Sequence, residues 1–299
     1  MTQRIAILSR NSSLHSVKRF MEEASSKKVA CDVISPLDCQ LVIDGEKSHI
    51  LHGSQILEPY DVVLPRIGTS ITAYGLAVVK HFESLSRHVV NHSQAIAQSR
   101  DKLRCLQVLT DAGVKVPRTV LVRNSRNLNA ALQAVGQPPV ILKILQGTQG
   151  VGVMLAHTPV AIGSVIDTLR GLGQDVLVQQ FLVKGAGKDY RAFVVGDEVV
   201  AAMERVAPEG EFRSNIHRGG EGRALSLPQE FQKAAVRAAQ ILGLQIAGVD
   251  LMWGDQGEPV VIEVNSSPGF QGIEKATGAN IAGFVLDHLI KQAKKPKPR

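Results

Sequence analysis

Three oxygen-bearing residues near the C-terminal end have types and spacing that suit a metal. Asp250 lies in AGVD, Glu263 and Asn265 lie in VIEVN, and SSPG follows. Residues two apart on a strand share a face, so Glu263 and Asn265 point the same way. Asp250 belongs to the preceding apolar run, and a turn at residues 254–259 brings it back beside them. Unpaired carboxylates in apolar strands repel each other and lose hydration. A divalent cation relieves both costs, and ligands that are all oxygen suit Mg²⁺ or Mn²⁺, with water and phosphate oxygens completing the shell. The alternative, on these residues alone, is a pair of exposed edge-strand acids bridged by lysines.

Two further segments carry chemistry. Residues 146–152 read QGTQGVG between two apolar runs. Gly147, Gly150 and Gly152 free the backbone for close approach to a ligand, and successive N–H groups can cradle phosphate oxygens. The spacing matches neither of the common phosphate-loop or dinucleotide signatures, so a plain hairpin tip is the competing reading. Lys143 stands just before this loop in VILKIL. A lysine on an apolar strand either snorkels to water or meets an anion, and the neighbouring glycines favour a phosphate. The third segment is DYR (Asp189–Arg191) with FRSNIHRG, where Arg213, Ser214, Asn215, His217 and Arg218 crowd one loop. It reads either as a solvated basic loop or as donors for phosphate and for a reacting acyl oxygen.

These residues need elements to place them. Residues 1–95 alternate short apolar runs with helical stretches: strands at 4–9, 29–34, 61–65 and 88–91, helices at 12–25 and 69–85. That order predicts a small parallel α/β domain. A helix is expected over 99–112, with Leu103, Leu106 and Leu109 at helical spacing. The pattern then changes to strands at 140–145, 152–156 and 176–180, a helix at 162–172, and two hairpins. The first pairs 190–195 with 198–205 around Gly196–Asp197; the second pairs 247–253 with 259–265 after a helix at 229–242. Hairpins mean antiparallel pairing, so the later two thirds reads as α+β.

Composition sets outer limits. The chain has 299 residues, 44% apolar and 20% charged, an ordinary globular composition long enough for two or three domains. Aromatics make up 4%, which argues against base-stacking platforms. The formal charge is +7 and the isoelectric point about 9.4, which favours anionic partners without choosing among them. Part of the excess sits in the tail KQAKKPKPR, read as a solvated terminus. Cys31, Cys39 and Cys105 form no CxxC pair, and no run approaches the roughly 18 apolar residues of a membrane span. A reducing cytoplasm and no membrane follow as expectations.

Taken in order, Lys143, the glycine loop, DxR, the basic loop and the D…ExN hairpin resemble the ATP-grasp superfamily over residues 99–289. Within it, AILSR, PRIGTSITAYG, LKILQGTQGVGV, FRSNIHRGG and EVNSSPGFQGIEKATG resemble the RimK-type α-L-glutamate ligases, nearly end to end. The resemblance implies an N-terminal α/β domain (1–95), two ATP-grasp subdomains (96–182 and 183–292) that grip ATP between them, and a basic tail (293–299). It implies an ADP-forming carboxylate–amine ligase with ATP and two Mg²⁺ or Mn²⁺ ions. L-glutamate would be joined to an acceptor carboxylate at the C-terminus of a small-subunit ribosomal protein, with poly-α-glutamate a further product. Carried over, Lys143 and the glycine loop hold phosphates, as do Arg213, Ser214 and Asn215. Gln180 and Phe181 line the adenine pocket, with glutamine where the family commonly has an acid. Asp189 holds the ribose or a nearby polar contact, and Asp250, Glu263 and Asn265 hold the metals. Arg213, His217 and Arg218 stabilise the reacting acyl group, and Arg66 and Arg191 reach substrate. A homo-tetramer or dimer is implied, with no direct nucleic-acid binding required. The alternatives are a ligase of the same branch that acts on a carrier protein or small molecule, and a nucleotide-binding, ribosome-associated regulator without turnover.

Overall fold

A computed structural model describes residues 3–85, 87–145, 152–212 and 220–296. Strand β1 (Arg4–Leu8) reads RIAIL, and Ile5 to Leu8 are completely buried. A strand that is apolar at every position must be covered on both faces, which is the signature of a parallel sheet. Ile5 and Ile7 enter one core with Val17 and Phe20 of α1 (His15–Ser26). Ala6 and Leu8 enter another with residues of the helix that follows the sheet's third strand. The sheet is completed by β2 (Ala30–Ile34), β6 (Val62–Pro65) and β7 (His88–Val89), in the order β2-β1-β6-β7, all parallel. Between β2 and β6 lies an unforeseen antiparallel sheet of β3 (Cys39–Val42), β4 (His49–His52) and β5 (Gln55–Ile56). Its strands are too short and polar to announce themselves by alternation. Helix α2 (Thr72–Ser84) covers the second core with Val78, Val79 and Phe82.

The helix expected over 99–112 is instead two, α3 (Ser93–Arg100) and α4 (Lys102–Asp111). Asp101 breaks it. Its extended backbone and its carboxylate, which accepts from the Arg104 N–H at 3.0 Å, make it an N-cap rather than a helical residue.

Beyond α4, β8 (Thr119–Val122), β9 (Val140–Ile144), β10 (Val153–Ala156) and β11 (Val176–Gln180) form an antiparallel sheet in the order β10-β9-β11-β8, backed by α5 (Leu128–Val135) and α6 (Pro159–Gly171). The largest sheet follows, with β12 (Lys188–Val195), β13 (Glu198–Val206), β14 (Glu221–Ala224), β15 (Ile246–Trp253) and β16 (Pro259–Asn265), in the order β14-β13-β12-β15-β16. Helix α7 (Gln229–Ile241) packs Phe231, Ala235 and Ala238 on one face with Ala192 and Val194. On the opposite face, Phe193 and Val195 join the core beneath Ile5 and Ile7. That core also receives Phe270 ahead of α8 (Gln271–Thr277) and Val285, Leu286 and Leu289 of α9 (Ile281–Ala293). The first and last sheets are therefore packed as neighbours. Asn91 ties them further. Its amide donates to the carbonyls of Ile246 at 2.7 Å and Ser266 at 2.9 Å, and its oxygen accepts from the N–H groups of Gln245 and Ile246. A buried amide with every site used orients the start of β15 against the N-terminal sheet.

Candidate active site

Pairing across β12, β15 and β16 sets Arg191, Asp250 and Glu263 in one row, while Asn265 opposes Gly248. Two bulges make this row. In β16 the register shifts beside Asp250, so that Asp250 opposes Glu263 and Leu251 opposes Val261. In the hairpin of β12 and β13 it shifts at Phe193, so that Asp189 opposes Arg205. Without the first bulge Ile262 would stand opposite Asp250; without the second, Glu204 would stand opposite Asp189 and two acids would meet. A one-residue slip turns a side chain to the other face, so the first bulge sets two acids side by side and the second sets an acid opposite an arginine.

The result is an alternating chain of charge. Arg205 donates through Nε and Nη2 to Asp189 at 2.5 and 2.7 Å, and its Nη2 lies 2.9 Å from Asp250 Oδ2. Arg191 donates through Nε to Asp250 Oδ1 at 2.6 Å and through Nη2 to Oδ2 at 2.5 Å. Asp189, Arg205 and Asp250 are buried. Burial by itself would push the Asp250 carboxyl up, but the guanidiniums of Arg191 and Arg205 hold it below the ordinary range. Burial would likewise lower Arg205, and the carboxylates of Asp250 and Asp189 hold it above its ordinary value.

Glu263 stands apart from this network. It is exposed, with no ion pair among the described residues, and directly opposite Asp250. The hairpin thus presents one free carboxylate, a second whose Oδ1 accepts only one hydrogen bond, and the Asn265 amide on the same face as Glu263. Among the described residues no cluster of three or more His, Cys, Asp or Glu side chains is arranged for a metal. The donor set here is two carboxylates and an amide, all oxygen, and it fits a hard cation that keeps water or phosphate in its remaining positions.

Two lysines, one on β9 and one at the start of α4, feel the charge of the hairpin. Burial pushes Lys143 of β9 down; Glu263 opposes that shift, Lys102 adds to it, and Asp250 opposes it. Lys102, the first residue of α4, is also pushed down by burial and held up by Glu263. Its Nζ donates to the carbonyls of Ile144 and Leu145 at 3.2 and 3.4 Å, where the glycine loop begins. Sequence reasoning missed Lys102. The signal was present in Asp101: a cap there makes Lys102 the opening residue of a helix rather than a solvated one within it. Gly152 closes the loop at φ 77°, and a Cβ there would collide with Ile144, so only glycine fits. Gly147, Gly150, Arg213, Ser214, Asn215, His217 and Arg218 lie outside the described residues.

Four expected contacts take different forms. Asp189, expected at a ribose, is closed off by Arg205 because the bulge aligns them. The Gln180 carbonyl, expected to face adenine, accepts from Arg118 Nε at 3.1 Å, and its amide donates to Asp255 at 2.8 Å. Asp255 supplies a carboxylate beside position 180, where a glutamate would be repelled and glutamine donates. Phe181 follows, partly buried. Arg66, expected at substrate, donates through Nη2 to the Pro268 carbonyl at 2.9 Å and lies 3.4 Å from Ser16 Oγ. Arg191 is occupied by Asp250.

Residues 3–96 match the RimK pre-ATP-grasp domain, and residues 99–289 match the RimK-like ATP-grasp domain. The chain is 47% identical over 291 residues to a probable alpha-L-glutamate ligase of Vibrio parahaemolyticus, covering 97% of this chain and 96% of that one. It is 47% identical over 293 residues to a protein of the same description from Halorhodospira halophila, covering 98% and 96%. Among solved structures, the ATP-grasp ligase PsnB complexed with minimal precursor superposes with a TM-score of 0.78 at 23% identity, covering 97% of this chain and 99% of that one. A RimK domain ATP-grasp protein from Sphaerobacter thermophilus gives 0.73 at 22%, covering 96% and 99%. The chain belongs to the RimK-like ATP-grasp family.

Proposed function

We propose that this ATP-grasp ligase joins L-glutamate to an acceptor carboxylate, the C-terminus of a small-subunit ribosomal protein, with release of ADP and phosphate. The observation that carries the reading is that the charge of Glu263 reaches both Lys143 and Lys102, and that of Asp250 reaches Lys143, in a chain 47% identical to probable alpha-L-glutamate ligases over almost its full length. The lysines hold the phosphates of ATP where the glycine loop begins. Asp250, Glu263 and Asn265 are the residues that would hold Mg²⁺, which when bound would supply neutralisation of the phosphate charge. The acceptor carboxylate takes the γ-phosphoryl group and becomes an acyl phosphate; the glutamate amine displaces phosphate and an amide forms. Arg213, His217 and Arg218 stabilise the acyl oxygen, and losing one such donor costs roughly 10²–10³ in rate. The adenine lies at Gln180 and Phe181, with Gln180 reached through its present partners Arg118 and Asp255.

No helix among the described residues is long and apolar enough to cross a membrane. A ligase that uses ATP and modifies a ribosomal protein works in the cytoplasm, and we assign it there as a homo-oligomer. A peptide acceptor other than the ribosomal one is the second reading, favoured by the fold shared with PsnB in complex with its precursor. Mass spectrometry after incubation with ATP, Mg²⁺ and glutamate, with and without the acceptor peptide, tests the proposal. Glutamate additions on the peptide support it. Free glutamate oligomers alone would keep the chemistry and remove the protein acceptor; absence of ADP release under all conditions would remove both.

A further inference from the structure

The C-terminal ends of β1 and β6 carry a second group of cations. Arg10 follows β1, Arg66 follows β6, and Arg100 ends α3. Arg10 and Arg100 converge on the loop that Arg66 opens. Arg10 donates to Ser70 Oγ at 2.8 Å; Arg100 donates to Thr72 Oγ1 at 2.8 Å and to the carbonyls of Gly68 and Ile67. Arg66 grips the Pro268 carbonyl and lies over the Phe20 ring, 5.9 Å from its centroid. None of the three has a carboxylate partner among the described residues, and the hydrogen bonds of Arg66 fall on Nη2, leaving Nε and Nη1 without a partner there.

The shelf adjoins the site already described. Pro268 lies three residues after Asn265 and packs on Gly248, where a Cβ would come within 2.7 Å of Pro268 Cβ and 3.8 Å of Arg191 Nε. Arg66 is thus one residue removed from the arginine that clasps Asp250. Burial also pushes Arg66 down to about 10. Neutral carbonyls and hydroxyls fix the orientation of these guanidiniums without cancelling their charge, as a carboxylate-binding surface requires.

We propose that Arg66, with Arg10 and Arg100 at its rim, forms the subsite for a substrate carboxylate that does not react. Pro268 places it beside the metal hairpin and keeps it out of the metal's shell. The inference rests on the acidic substrate of the proposed function. The carboxylate comes either from free glutamate or from the acidic end of the acceptor.

The test measures ADP release by the full chain with Mg·ATP. The wild type is first assayed with glutamate, aspartate, glycine and lysine as the incoming amino acid. Arg66→Gln, Arg66→Lys and Arg10→Gln are then compared with it. The wild-type preference judges the glutamate reading on its own. The shelf predicts that Arg66→Gln raises the KM of one carboxylate substrate at least about tenfold with the KM of ATP unchanged. Arg66→Lys is expected to restore part of the loss, and Arg10→Gln to give a smaller rise. A rise in the glutamate KM assigns the carboxylate to the amino acid; a rise in the acceptor KM assigns it to the acceptor. If the wild type prefers a non-acidic amino acid, the glutamate reading falls and the acceptor KM alone judges the shelf. Unchanged KM values for both substrates in Arg66→Gln, in a chain that melts like the wild type, overturn the subsite.

Discussion

Two sets of arginines meet across Pro268, and they are held in opposite ways. Arg191 and Arg205 are locked to Asp250 and Asp189 by short bidentate bonds, so their charge is cancelled where it is buried. Arg10, Arg66 and Arg100 are held by carbonyls and hydroxyls, so their charge remains available. The first set is scaffolding for a carboxylate that must stay ionised beside a metal. The second is a surface that lacks its anion. The number of arginines does not separate the two roles; the identity of their acceptors does.

The comparison is broken most severely at Arg205. Replacing it with Met removes a buried cation that contacts both Asp189 and Asp250, and we expect a loss of roughly 3–5 kcal/mol in urea unfolding at neutral pH. The gap to the wild type should narrow as pH falls. A carboxyl whose pKa is depressed by folding stabilises above its unfolded value near 4 and loses that contribution as pH drops through its folded value, and Arg205 is one of the two arginines that depress Asp250. Arg191→Lys keeps one charge and loses the fork, and should cost about 1–3 kcal/mol by the same measurement. Arg100→Met removes bonds to carbonyls that water can satisfy, and we expect about 1–2 kcal/mol. Arg10→Gln, on an exposed side chain, should fall within about 0.5 kcal/mol of the wild type. A shelf variant as damaging as Arg205→Met would erase the distinction.

Much of the site was legible because its parts are local. The hairpin of β15 and β16 announces itself by two apolar runs around a turn, and the order D…ExN survives any small error in register. The parallel sheet was legible in RIAIL and DVVLP for the same reason. The partnership of Asp189 with Arg205 was not. Counting back from the turn at Gly196 sets Asp189 against Glu204, and only the bulge at β13 moves Arg205 into place. A bulge costs one residue of register and leaves no composition mark. Lys102 was hidden differently, because Leu103, Leu106 and Leu109 carry a helical period straight through Asp101, and a short cap outweighs that period. Arg66 was assigned to substrate by the resemblance alone; its grip on Pro268 joins residues 202 apart, and no local pattern encodes it.

The central claim is that Glu263, free and opposite Asp250, completes a metal site that serves phosphoryl transfer. Glutamate- and acceptor-dependent ADP release by Glu263→Gln, followed across a Mg²⁺ titration alongside a thermal melt, tests it most directly. We predict a fall in turnover of at least about 100-fold, as expected when a metal ligand is weakened, with an unchanged melting temperature because Glu263 is exposed and has no ion pair among the described residues. Turnover near the wild-type level with the same Mg²⁺ dependence would contradict the assignment.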